Sequence, residues 1–128
     1  MPTDADIKAT LEAYVDCWRT SDRARVLQLF AEDATLEDPV GTPAHVGREA
    51  IGAFWDRVHA MPMEMKPDVE RIVACGGEGV LVFRMDAVAA NGMGMSVSIV
   101  DLFQFNEAGE ISSFKAYWDS KCQRAIKA

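Results

Sequence analysis

The chain has 128 residues and a formal net charge of −7 at neutral pH, and 49% of its residues are hydrophobic. This length is typical of one domain with its own core, which we expect to span residues 1–128. The acidic balance argues against nucleic acid and anionic membrane surfaces as partners, and no apolar run approaches the ~20 residues that a membrane span needs. The N-terminus lacks a signal-like apolar segment and the three cysteines are far apart, so the sequence predicts a cytoplasmic protein with reduced thiols.

The first predicted element is a helix that begins with a cap at residue 3 or 4. Ile7 and Leu11 start an apolar stripe with helical spacing, and Tyr14 and Trp18 continue it. The stripe therefore places Tyr14 on the buried side of the helix. It is either a core aromatic with its hydroxyl at the edge or a functional phenol.

A break at Ser21-Asp22 is followed by a second, short predicted helix. Its apolar face is supplied by Val26, Leu27, Leu29 and Phe30.

A short strand over residues 34–37 then leads into Asp38 and is stopped by Pro39. Strand side chains alternate between faces, so Asp38 points the same way as Ala34 and Leu36. A carboxylate is therefore expected at the rim of an apolar surface.

A third helix is predicted from Arg48 to His59, opened by Gly47. Its apolar residues at helical spacing are Ile51, Phe54, Trp55 and Val58. The acids before this helix, Asp33, Glu37 and Asp38, show no metal-ligand spacing with His45, which favours a solvated acidic loop. We expect His45 and His59 to be surface residues.

The remainder of the chain reads as four strands, at about residues 65–74, 80–89, 93–105 and 111–118. Glycine-containing turn signals separate them, and Asn91-Gly92 is the strongest of these. Helices followed by an antiparallel meander predict an α+β domain with a sheet laid against helices.

The strand at 93–105 carries the second notable acid, Asp101. Asp101 interrupts an apolar stripe, with Ile99 before it and Phe103 after it. An unpaired buried carboxylate is costly and normally takes up a proton. Two alternatives remain open: a buried salt bridge, for instance to Arg84 or Lys115, or a functional cavity.

The neighbouring strands offer apolar and aromatic side chains that are either core or the walls of such a cavity. These are Leu81, Phe83, Met85 and Ala87 on one strand, and Phe114, Ala116 and Trp118 on another.

Three runs resemble one known family: FAEDATLEDPVGTPAHVGREAIGAFW, IVDLFQFNEAGEI and AYW. They are similar to the ketosteroid isomerases, a branch of the nuclear transport factor 2-like superfamily, and the resemblance extends from about Lys8 to Lys121. It implies a cone-shaped fold of N-terminal helices packed against a curved, mostly antiparallel sheet.

The resemblance also implies roles for three residues. The aspartate of the E-D-P triplet, Asp38, would be the general base, and Tyr14 with Asp101 would form an oxyanion hole. Residues implied to line a substrate cavity are Phe54, Phe83, Met85, Phe114 and Trp118.

The family reaction is the isomerisation of 3-oxo-Δ5-steroids to 3-oxo-Δ4-steroids, and it needs neither metal nor organic cofactor. The implied partner is a small hydrophobic substrate, and the implied assembly is a homodimer through the exposed sheet face, where Val100 and Leu102 lie. Rival functions are another enzyme of the superfamily, of the polyketide cyclase or epoxide hydrolase type, and a non-catalytic module that binds a hydrophobic ligand or a protein.

The sequence departs from the family pattern behind Tyr14. Well-known members carry two further tyrosines there, and this chain has Phe30 and Trp55. We therefore expect Tyr14 to act nearly alone as a donor, with the Trp55 indole as the first substitute.

Overall fold

The computed structural model describes residues 1–127, which form three α-helices and a seven-stranded mixed sheet. The helices are α1 (Asp4–Thr20), α2 (Arg23–Leu29) and α3 (Arg48–Val58). The strands are β1 (Phe30–Glu37), β2 (His45–Val46), β3 (Met63–Cys75), β4 (Glu78–Ala89), β5 (Met93–Phe105), β6 (Ile111–Tyr117) and β7 (Gln123–Lys127). A short 3₁₀ helix, Ser120–Cys122, precedes β7. The predicted α+β fold is confirmed.

Helix α1 begins where the sequence predicts, because Thr3 forms a reciprocal cap with Asp6. The Asp6 backbone N–H donates to the Thr3 hydroxyl oxygen at 3.1 Å, and the Thr3 N–H donates to the Asp6 carboxylate at 3.0 Å. The helix ends at Ser21, whose φ of +53° is left-handed, and Asp22 then caps α2. Tyr14, in the middle of α1, faces the sheet, where its ring lies against Phe103 and Phe114.

The sheet is ordered β2-β1-β6-β5-β4-β3, and β7 pairs with the first half of β5. Of the strands in the described residues, only β1 and β6 run parallel; the other strand pairs are antiparallel. Register shifts between Val69 and Arg71 and between Gln104 and Phe105 mark irregularities of the bulge type, which bend and twist a sheet. The resulting curvature leaves room between the sheet and the helices.

Three details differ from the sequence prediction. Phe30 was expected on the second helix but is the first residue of β1, because an apolar side chain at a helix–strand junction satisfies either period. Strand β2 was not predicted, since two residues show no alternation. Strand β7 was missed because QRAIK contains few apolar residues.

The core lies between the inner face of the sheet and α1 and α3. Phe103, Phe114 and Leu81 are fully buried there against the helices. The outer sheet face is different, because it exposes Val100 and Leu102. None of the helices in residues 1–127 is long and apolar enough to cross a membrane.

Candidate active site

A cavity of about 310 Å³ opens between the inner sheet face and helices α1 and α3. Its volume is near the lower end of the range for small-molecule sites. It is lined by every residue that the resemblance assigned to the site: Tyr14, Asp38, Phe54, Phe83, Met85, Asp101, Phe114 and Trp118. Seven others complete the wall, and of these the sequence had offered only Ala87 as a wall residue: Trp18, Val58, Met65, Ala87, Met95, Val97 and Ile99.

A larger depression of about 650 Å³ lies between α1 and β3. Three of the four charged side chains that line it are already committed, since Arg25 donates to Asp16 at 2.7 Å and Arg19 donates to the Pro67 carbonyl oxygen at 3.1 Å. We place the site in the smaller cavity, because an apolar wall with a few converging polar groups is the usual form of a small-molecule site.

Asp38 reaches the cavity from the end of β1. The parallel register pairs Glu37 with Lys115, and the Val40 N–H donates to the Ala116 carbonyl oxygen at 2.9 Å, which holds the chain after Asp38 beside β6. The Trp118 indole N–H donates to Asp38 Oδ1 at 2.7 Å. This contact fixes one oxygen of the carboxylate.

Burial raises the pKa of Asp38 above its ordinary value. The Trp118 hydrogen bond and the charge of His45 both oppose that rise. Asp38 is thus a carboxyl group made more basic by its surroundings while one hydrogen bond still favours its ionised form.

Asp101 lies in the middle of β5 and is only 1% exposed. Its Oδ1 atom is buried and has no hydrogen-bond partner within residues 1–127. Burial, and then the nearby charge of Asp38, hold the pKa of Asp101 well above its usual range. Both causes favour the protonated acid, which is a hydrogen-bond donor.

The alternative of a buried salt bridge at Asp101 is wrong for both proposed partners. Arg84 donates to Asp68 and to Asp86, each at 3.2 Å. Lys115 lies 3.8 Å from Glu37. Both cations are on the outer side of their strands, because strand parity points them away from the cavity.

Tyr14 is 5% exposed and is held by aromatic neighbours. Its ring makes edge contacts with Phe103 at a centroid distance of 5.2 Å, and it lies 5.7 Å from Phe114. Burial raises the pKa of Tyr14 well above 10, with smaller contributions from the charges of Asp101 and Asp38. The phenol is therefore a protonated donor in the same cavity as the two acids.

The indole beside Tyr14 is that of Trp18, with the two ring centroids 6.4 Å apart, whereas the sequence had pointed to Trp55. Trp18 opposes the rise in the Tyr14 pKa, although its N–H does not reach hydrogen-bonding geometry with any acceptor in residues 1–127. Sequence reasoning placed Trp18 on the buried stripe of α1 but had no signal for the direction of its N–H.

The two histidines are more buried than the sequence suggested. His45 packs against Phe54 at a centroid distance of 5.0 Å, in the short strand β2. His59 stacks on Trp55, and its Nδ1 lies 2.8 Å from the Trp55 carbonyl oxygen. Both residues are half-buried, so the expectation of surface positions holds only in part, because each ring covers an aromatic neighbour. No group of three or more metal-ligating side chains occurs within residues 1–127.

Comparison with known proteins gives one family match and several structural matches. Residues 11–114 match the model of the SnoaL-like domain. The steroid Delta-isomerase of Nocardioides simplex is 32% identical over 114 residues, which cover 89% of this chain and 90% of that protein.

Solved structures of the same fold include RV0760c from Mycobacterium tuberculosis, with a TM-score of 0.84 and 21% identity over 98% of this chain and 100% of that one. The epoxide hydrolase/cyclase-like enzyme SalBIII, which acts in pyran ring formation in the polyether salinomycin, matches with a TM-score of 0.85 and 21% identity over the same shares. A computationally designed 17-OHP binder matches at 0.83 and 21% identity over 94% of this chain and 98% of the binder. At this identity the three structures show a shared fold.

Proposed function

Because the chain belongs to the SnoaL-like domain family, in the ketosteroid isomerase branch of the nuclear transport factor 2-like superfamily, we propose that it isomerises 3-oxo-Δ5-steroids to 3-oxo-Δ4-steroids. The observation that carries the proposal is the pair of unlike carboxyl groups in one apolar cavity. Asp38 holds one hydrogen bond, whereas Asp101 has a buried oxygen without a partner.

In the proposed reaction the steroid enters the apolar cavity with its C3 carbonyl oxygen toward Tyr14 and Asp101. Asp38, as carboxylate, takes a proton from C4, and the electron pair of the C–H bond moves into the ring to give a dienolate. Asp38 then returns the proton to C6, and the double bond ends conjugated with the carbonyl. One carboxylate performs both transfers, so no other proton carrier is required.

Tyr14 and the protonated Asp101 donate hydrogen bonds to the oxygen as negative charge develops on it. Such donors are worth most in a cavity without bulk water, where the effective dielectric constant is low. Ketosteroid isomerases are known to keep one carboxylic acid neutral so that it can donate a hydrogen bond to the oxyanion. The high pKa of Asp101 supports the same role here.

Trp118 has a positioning role in this proposal. Its N–H occupies Asp38 Oδ1, and the other carboxylate oxygen is left for the proton transfer. Among the other cavity residues, Phe54, Phe83, Met85 and Phe114 supply an apolar surface that suits the fused rings of a steroid.

The rival reactions of the fold need partly the same polar groups. Opening an epoxide with water needs a base that activates water and an acid for the epoxide oxygen, and Asp38 and protonated Asp101 are groups of these two kinds. A cavity that holds a neutral acid beside a tyrosine hydroxyl is suited to an oxyanion formed from a carbonyl. The presence of both donors, Tyr14 and Asp101, together with the 32% identity with a steroid Delta-isomerase, favours isomerisation over the epoxide hydrolase and cyclase alternatives.

The test is to add 5-androstene-3,17-dione and follow the ultraviolet absorbance of the conjugated enone product. 5α-Androstane-3,17-dione, which lacks the C5–C6 double bond, is the matched control and should compete for the cavity without producing absorbance. Formation of enone above the rate in buffer supports the proposal. Binding of both steroids with no enone formed would instead identify a non-catalytic binding module.

A further inference from the structure

Trp18 lies one helical turn after Tyr14 on α1, and side chains four residues apart share one helix face. The two rings meet edge to face, with their centroids 6.4 Å apart. Trp18 also lines the main cavity, so its indole borders the place where Tyr14 meets a ligand.

The indole of Trp18 is held in place from its other side by helix α3. It lies 4.4 Å from Trp55 and stacks on His59 at 5.3 Å, with 23° between the ring planes. His59 is fixed in turn by the contact of its Nδ1 with the Trp55 carbonyl oxygen. The Trp18 N–H therefore has little freedom to turn toward solvent.

The Trp18 N–H is nevertheless without an acceptor. Its Nε1 atom is fully buried and makes no hydrogen bond within the described part of the chain. A buried donor without a partner costs free energy, so such an atom calls for a partner in the working state. Two side chains that line the small cavity beside Trp18 carry oxygens, Tyr14 and Asp38. Asp38 already accepts from Trp118, whereas the Tyr14 ring lies against Trp18, so the phenol oxygen of Tyr14 is the acceptor we consider.

Trp18 carries the buried indole N–H beside Tyr14 that has no partner within residues 1–127. A cavity of only about 10 Å³ is lined by Tyr14, Trp18, Phe30 and Trp55, among others, which leaves the rings room for a small adjustment. Phe30 has no polar side-chain atom, and Trp55 has no buried unpartnered nitrogen.

We propose that the Trp18 indole N–H donates a hydrogen bond to the Tyr14 phenol oxygen when Tyr14 binds an anionic oxygen, and that Trp18 is thus a positioning residue of the oxyanion hole. The inference rests on the proposed function. As the phenol donates its proton toward the ligand, negative charge grows on the phenol oxygen. A second donor to that oxygen then strengthens the first bond, since linked hydrogen bonds polarise one another.

The experiment uses Asp38→Asn as the background, because a neutral amide at this position stands in for Asp38 after it has taken up the proton. The probes are estradiol, whose phenolic oxygen imitates the dienolate oxygen, and 3-deoxyestradiol, which lacks it. The measured quantity is the ratio of the two dissociation constants, together with the ionised fraction of bound estradiol from its ultraviolet difference spectrum.

Trp18→Phe should lower the preference for estradiol by about tenfold, as expected for a hydrogen bond to a charged group, and should lower the ionised fraction. Binding of 3-deoxyestradiol reports any general change of the cavity and cancels in the ratio. Incorporation of β-(benzothiophen-3-yl)alanine at position 18, which keeps the bicyclic shape and lacks the N–H, should give the same result. Trp55→Phe alters the same packed group of rings, Trp18, Trp55 and His59, and should retain the preference for estradiol.

A preference that changes by less than about twofold in both position-18 variants overturns the inference, because a hydrogen bond to a charged group contributes more than this. A preference lost equally in Trp55→Phe also overturns it, since the effect would then belong to the stack. The proposed function fails in a different way: Asp38→Asn itself would bind estradiol no better than 3-deoxyestradiol.

Discussion

Asp38 and Asp101 are two carboxyl groups of one cavity that experience different surroundings. Burial raises the pKa of each, but only Asp38 has a hydrogen-bond donor that favours its charged form. The charge of Asp38 raises the pKa of Asp101 further. The proton shared by this pair therefore belongs on Asp101, and this assignment gives the residues their separate proposed roles.

Substitutions at Asp101 should separate donation from charge. Asp101→Asn keeps an N–H donor and should lower turnover mildly, whereas Asp101→Leu removes the donor. One oxyanion-hole donor is worth ~3–4 kcal/mol, so the Leu variant should lose roughly 10²–10³-fold in kcat. Enone formation at saturating steroid measures both. Equal losses in the two variants would favour an ionised, structural Asp101.

The same burial should make Asp101 a stability cost at neutral pH. A carboxyl group whose pKa is raised in the folded state holds its proton while the unfolded chain releases it above pH ~4, so the free energy of unfolding falls as pH rises through that window. Asp101→Asn should therefore be more stable than the wild type at pH 7, and the difference should vanish at pH ~3. Urea unfolding at several pH values measures it. If the stability difference between Asp101→Asn and the wild type widened as the pH is lowered, Asp101 would not be a neutral acid in the folded state.

At the scale of elements, the parallel pairing of β1 with β6 brings the base and its partner together. Asp38 and Trp118 each follow the end of one of these strands, although 80 residues separate them in sequence. No local pattern could reveal this contact, and the sequence analysis placed Trp118 only in the apolar wall. The two acids were accessible from strand parity, because alternation alone puts Asp38 and Asp101 on inward faces.

Removing the Trp118 N–H should move the acid limb of the pH–rate profile. Trp118→Phe keeps an aromatic wall but deletes a bond that lowers the pKa of Asp38, so this pKa should rise. Since Asp38 acts as the ionised base, kcat/KM should begin to fall at a higher pH than in the wild type. A pH titration of kcat/KM measures the limb. An acid limb that stays at the wild-type pH in Trp118→Phe would show that the Trp118 hydrogen bond does not set the pKa of Asp38.

On the scale of the whole molecule, one side of the sheet encloses the cavity and the other side exposes apolar residues. Val73, Val100, Leu102 and Tyr117 are each 37–42% exposed. Val73 lies on β3, Val100 and Leu102 lie on β5, and Tyr117 lies on β6. All four side chains are on the outer face, and Val100 is paired directly with Tyr117. A homodimer through this face remains a prediction.

Leu102→Glu should place a charge in that face and yield a monomer, because an unpaired buried charge opposes association. Val46→Glu is the matched control, since Val46 is 63% exposed on β2 at the far edge of the sheet. Sedimentation velocity should find a dimer for the wild type and the control. A monomeric wild type at micromolar concentration would contradict the expected assembly.

The sequence predicted the course of the chain well where its periodicity was long and less well where it was short. The four meander strands were placed within a few residues because their turns carry Asn-Gly and Gly-rich signals. The two-residue β2 and the polar β7 had no comparable pattern. The orientation of the Trp18 ring depends on α3, which lies far along the chain, and only the packed fold defines it.

The most direct test of the central claim compares the wild type with Asp38→Asn in the enone assay, with steroid binding measured separately. Asn is nearly isosteric and can still accept the Trp118 hydrogen bond, so folding and binding should be preserved. General-base catalysis contributes roughly 10²–10⁴-fold, and we expect kcat to fall by at least this factor. If Asp38→Asn retained more than about a tenth of the wild-type turnover, far above that range, another group would have to be the base.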